Sequence, residues 1–69
     1  MEKKTLGAFI ALLRKEKGLT QKQLAEMTGI YQADISNIER GKANPSIETL
    51  ERLAEGMEMK LKISFEKDA

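Results

Sequence analysis

"TQKQLAEMTGIYQADISNIERG", residues 20–41, decides how this chain folds. It holds two short amphipathic segments divided by a glycine. Thr20, with Gln23 three residues later, forms a capping box, in which each side chain satisfies the other residue's backbone N–H at a helix start. Leu24, Ala25 and Met27 supply that helix's inward face, and Gly29 ends it after barely two turns. Ile30 reads as a buried turn residue. A further helix then runs from about Tyr31 to Arg40, with Ile35 and Ile38 inward and Gly41 closing it. Two short helices joined by a turn of a few residues make a helix-turn-helix, whose second helix can enter a major groove ~12 Å wide.

The spacing inside the segment suits that arrangement. Ala25 is small where two helices cross closely, and Gly29 can take the positive φ that the turn requires. The outer side of the second helix carries Gln32, Ala33, Ser36, Asn37 and Arg40. Gln and Asn can bond adenine bidentately, and Arg can hold guanine or phosphate. A small bundle whose third helix is merely polar outside would show the same periodicity. Residue types and spacing favour DNA binding without excluding the bundle.

Outside this segment the pattern stays helical. Thr5 reads as the N-cap of a first helix whose Leu6, Ile10 and Leu13 form an apolar stripe beside Phe9, and Gly18 stops it. In "KANPS", Pro45 and Ser46 announce a fourth helix, with Ile47, Leu50, Leu53, Ala54 and Met57 inward and Gly56 marking its end. Met27, Met57 and Met59 fall at apolar positions and read as core or interface filler. Residues 58–67, "EMKLKISFEK", change period. Met59, Leu61, Ile63 and Phe65 alternate with polar residues, as in a half-buried strand. The expected fold is mainly α: a four-helix helix-turn-helix domain over residues 1–57, then one C-terminal strand and tail over 58–69 that pairs across a dimer.

Composition narrows the function. At 69 residues the chain is one domain near the lower size limit for a single core, which supplies only about 3–5 kcal/mol unaided. Cys and His are both absent, so disulfides, zinc staples and most nucleophilic or metal catalysis are not expected, and no cofactor is implied. An enzyme is not expected. The N-terminus shows no signal peptide, and no apolar run approaches the roughly 20 residues of a membrane span, which favours a cytoplasmic protein. Net charge is only +1, but its distribution is uneven. Through Lys42 there are eight basic and five acidic residues; beyond it, four basic and six acidic. The asymmetry permits a DNA-facing surface in the first part.

The runs LTQ-x-x-LA, G-I-x-Q, I-S-x-I-E-R-G and N-P-S-x-x-T-L between Leu19 and Leu50 resemble the phage-repressor/Cro-like (XRE-type) helix-turn-helix family, and the likeness extends over Leu6 to Met57. The resemblance implies a DNA-binding domain of phage-repressor-like fold. It implies that Gln21 bonds a phosphate and braces Gln32, and that Gln32, Ala33, Ser36 and Asn37 face base edges. Tyr31, Arg40, Lys42 and Asn44 would lie along the DNA backbone. Arg14 and Glu39, which border the apolar stripe, would pair with each other and tie the first helix to the third. Asp34 departs from the family's usual neutral residue. It either accepts from cytosine N4 or stabilises the helix's positive end, and the second is favoured because phosphates repel a carboxylate.

A lone strand exposes its backbone N–H and C=O rows and recruits another chain. With no second strand in the sequence, the expected partner is the same segment of a second subunit, antiparallel about a two-fold axis. Centring the pair on Ile63 sets Leu61 against Phe65 and Lys60 against Glu66, whereas centring it on Lys62 opposes like charges. The apolar face would rest on the first and fourth helices. The function expected is a homodimeric, sequence-specific repressor of transcription on a palindromic operator in double-stranded DNA. The alternative is an antitoxin that neutralises a protein toxin and regulates its own operon, as some family members ending in a strand resemble.

Overall fold

The computed structural model describes residues 2–67; Met1, Asp68 and Ala69, at the ends of the two expected segments, lie outside the described residues. Four helices follow in order: α1 Lys3–Glu16, α2 Gln21–Thr28, α3 Gln32–Glu39 and α4 Ile47–Gly56. They pack around Ile10, Leu24, Ile35, Ile38, Leu53 and Met57, of which Leu24, Ile35 and Leu53 are wholly buried. Leu6, Leu13, Leu19, Ala25, Ile30 and Leu50 close the margins of this core.

Several helix ends follow from single residues. Ser46 Oγ accepts from the Thr49 backbone N–H at 3.1 Å and starts α4. The start of α1 differs from the sequence expectation. Thr5 is inside the helix, and Glu2 is the N-cap, its Oε1 accepting from Lys4 N at 2.8 Å. A carboxylate near the positive helix end serves as well as a hydroxyl.

The end of α4 falls at Gly56, as the sequence suggests. Gly56 is the last helical residue, and a Cβ there would come within 2.5 Å of Thr28 Cγ2. Its smallness lets α4 approach α2. The left-handed position falls instead at Glu58, φ +57°, followed by a Met59 N–H that donates to Ala54 O at 2.7 Å.

Two expected inward residues face out. Met27 is 55% exposed and Ile47 59%, because each sits at the edge of a short helix whose interior stripe is already filled. Of Met27, Met57 and Met59, Met57 alone is buried. Residues 59–67 have no regular secondary structure, and no strand is present among the described residues. One chain offers that segment no second extended stretch with which to form a ladder.

Candidate nucleic-acid interface

The helix-turn-helix is built on local bonds. Thr20 N donates to Gln23 Oε1 at 2.8 Å and Gln23 N to Thr20 Oγ1 at 3.0 Å, so both halves of the capping box are made. Gly29 takes φ +75°, a left-handed conformation that costs other residues roughly 1–2 kcal/mol, and its N–H bonds Ala25 O. The turn has a further brace that the sequence reading missed. Thr28 Oγ1 donates to Leu24 O at 2.7 Å and accepts from Ile30 N at 3.2 Å. A Thr closing a helix just before Gly was the available signal.

Ile35 and Ile38 bury the inner side of α3. That leaves Gln32, Ala33 and Asp34 exposed on its first turn, with Ser36 and Asn37 half-buried behind them. Tyr31, the N-cap position, is 80% exposed and makes no capping bond with its side chain. Arg40, Lys42 and Asn44 are exposed where α3 runs into the loop toward α4. Asp34, Asn37 and Asn44 line a shallow groove between α3 and the start of α4. Gln32, Ala33, Ser36 and Asn37, spaced at i, i+3 and i+4, thus share one outer ridge of α3, which runs on into the exposed Arg40 and Lys42.

Two of these residues are joined in a way the sequence did not suggest. Arg40 Nη2 donates to Asn37 Oδ1 at 3.0 Å, and Arg40 Nε reaches Ser36 O at 3.4 Å. This bond engages the Asn37 carbonyl oxygen and leaves its N–H₂ to donate elsewhere.

Behind the ridge lies an ionic network. Arg14 Nε donates to Glu39 Oε2 at 2.7 Å and Arg14 Nη2 to Oε1 at 3.0 Å, while Nη1 caps Leu19 O at 2.7 Å. Gln21 Nε2 donates to the same Oε1 at 3.0 Å. Gln21 therefore braces Glu39 rather than Gln32. A carboxylate is the stronger acceptor, and it lies within reach. The hydrogen bond donated to Glu39 holds the Arg14 pKa above its ordinary value against the opposing effect of burial. Burial pushes the Glu39 carboxyl upward, but bonds from Arg14 and Gln21, with the charges of Arg14 and Lys15, bring it below the usual carboxylate range. No group of three or more His, Cys, Asp or Glu able to hold a metal occurs among the described residues.

The ridge combines amides and a hydroxyl, groups able to bond base edges, with cations, which are able to meet phosphate. Comparison with known proteins agrees with that chemistry. The helix-turn-helix family profile matches residues 10–63. The HTH-type transcriptional regulator y4dJ of Sinorhizobium fredii is 42% identical over 55 residues, 80% of this chain and 71% of that protein. The immunity repressor of Bacillus phage phi105 is 46% identical over 50 residues, 72% of this chain but 35% of the repressor. The restriction-modification controller protein C.Esp1396I, solved as a tetramer in complex with its natural 35 base-pair operator, superposes with a TM-score of 0.78 at 35% identity, covering 83% of this chain and 75% of that one. With the fold, the ridge and these matches in agreement, the chain belongs to the XRE/Cro-like helix-turn-helix family of DNA-binding transcription regulators.

Proposed function

We propose that the chain is a sequence-specific repressor that acts as a homodimer on a palindromic operator. The observation that carries this reading is the outer ridge of α3: Gln32, Ala33, Ser36 and Asn37 stand beside Arg40 and Lys42 on a helix anchored by Ile35 and Ile38. In this reading the first four meet base edges. Gln21, Tyr31, Arg40, Lys42 and Asn44 meet phosphates and set the register. Asp34 stabilises the positive end of α3.

Likeness to an immunity repressor supports repression. Assembly of C.Esp1396I as a tetramer on its operator supports a multimer on DNA. Dimerisation through Met59, Leu61, Ile63 and Phe65 is supported by their alternation and by the exposure of Ile63 and Phe65. A two-fold dimer would set its recognition helices one DNA turn apart, about 34 Å.

Anisotropy titrations on the DNA upstream of the chain's own coding sequence, at several salt concentrations, test the base and phosphate roles. Asn37→Ala should narrow the gap between operator and unrelated DNA by roughly 1–3 kcal/mol. Lys42→Ala should weaken all sequences alike and reduce the salt slope by about one. If Asn37→Ala also weakened every sequence equally, the base-reading role would be wrong. Co-purification of a stable protein partner would instead point to an antitoxin, which would bind its operator as well.

A further inference from the structure

The alternating segment splits into two halves with different surroundings. Met59 and Leu61 line an open apolar groove of about 280 Å³ between α1 and α4, walled by Leu6, Phe9, Leu13 and Leu50. Ile63 is 54% exposed, and Phe65 is 101% exposed, as bare as in an extended peptide. Phe9, at the groove's wall, is itself 49% exposed. One chain therefore carries an unfilled apolar seat and an unseated aromatic ring.

The ring does not reach its own seat easily. Leu61 already lines the groove, and four extended residues carry Phe65 about 13 Å further on. Bringing it back needs a tight reversal, yet residues 62–66 contain no Gly, Pro, Asn or Asp, and Ser64 favours turns only weakly. A second copy has no such difficulty. In the antiparallel register centred on Ile63, the partner's Phe65 stands opposite Leu61, with Cβ atoms about 4.5–5.5 Å apart. Because Leu61 lines the groove, that register lays the partner's ring over it. The same pairing sets Lys60 against the partner's Glu66, so charge complements the apolar fit.

We propose that the groove between α1 and α4 is the seat for Phe65 of a second copy of this chain, so that each protomer plugs the other. The inference rests on the dimeric-regulator reading and specifies its interface. Two rings remove roughly 300–500 Å² from water. The groove walls they cover and the paired backbones raise the total toward the ~1,200 Å² of a stable interface.

The absence of cysteine makes the test clean. Ile63→Cys and Lys62→Cys variants are oxidised mildly and resolved on denaturing gels, and dimer dissociation of wild type and Phe65→Ala is followed by analytical ultracentrifugation. Ile63→Cys should give covalent dimer in clear excess over Lys62→Cys. Phe65→Ala should weaken dimerisation roughly 100-fold or more, since two buried rings are lost from the interface at once, and helical circular dichroism should not change. If wild type is dimeric but Phe65→Ala dimerises as tightly, or Lys62→Cys cross-links better, the plug is wrong and the dimeric reading stands. If wild type stays monomeric at about 100 μM, a concentration that would fill a micromolar dimer, both fall together.

Discussion

Glu39 shows how one residue links the core to the outer ridge of α3. Its two oxygens take Arg14 twice and the Gln21 amide once, and the Arg14 and Glu39 side chains are only 10% and 6% exposed. Removing one partner strands the other charge out of water. Arg14→Ala should therefore cost about 3–5 kcal/mol, as much as a core of this size supplies, and urea titration should find the variant largely unfolded. Replacing both residues together with apolar ones of similar volume should recover most of the loss. The network also has a pH signature. Glu39's pKa is lowered by folding, so its contribution is fully present above the ordinary glutamate value and is lost as pH falls through the depressed one. Stability of wild type should fall in that acid window, and Glu39→Gln should flatten the fall; an unchanged profile would show that Glu39 does not carry it. The pair was legible in the sequence because both residues border an apolar stripe and match the family's pattern. Gln21's bond to Glu39 was not, because it joins residues 18 apart and depends on how α2 meets α3.

The elements were legible where local chemistry marks their ends. Thr20 with Gln23, Gly29 and Ser46 are such marks, and each bond is made as the residue types require. Where long-range packing sets the outcome, periodicity misleads. Met27 and Ile47 satisfy a helical stripe but face water, since α2 and α4 offer the core only part of each turn. Glycines divide the same way. Gly29 was readable as a turn, whereas Gly7 was not readable at all. A Cβ on Gly7 would lie 2.1 Å from Ile38 O and 2.9 Å from Glu39 O, so α1 crosses the end of α3 at backbone contact. Gly7→Ala, ordinarily favourable in a helix, should lower stability by roughly 1–3 kcal/mol through overpacking, measured by thermal unfolding. An unchanged or raised melting temperature would show that the crossing relaxes without penalty.

At the scale of the whole molecule, the proposed dimer makes one chain half of a reader. The described residues place the α3 ridge on one surface and leave the apolar groove between α1 and α4 open, with Phe65 uncovered beyond it. The segment from 58 to 67 read as a strand from its alternation, but a ladder needs two strands and none is present among the described residues. Its four apolar residues also do not share one environment, which alternation alone does not reveal. A two-fold pair of ridges would require DNA that repeats its sequence with inverted symmetry at a fixed spacing. Selection of bound DNA from a random pool by the purified chain tests this most directly. The expected result is a palindrome with half-site centres about 10 base pairs apart. Recovery of sequences with no common motif would contradict it.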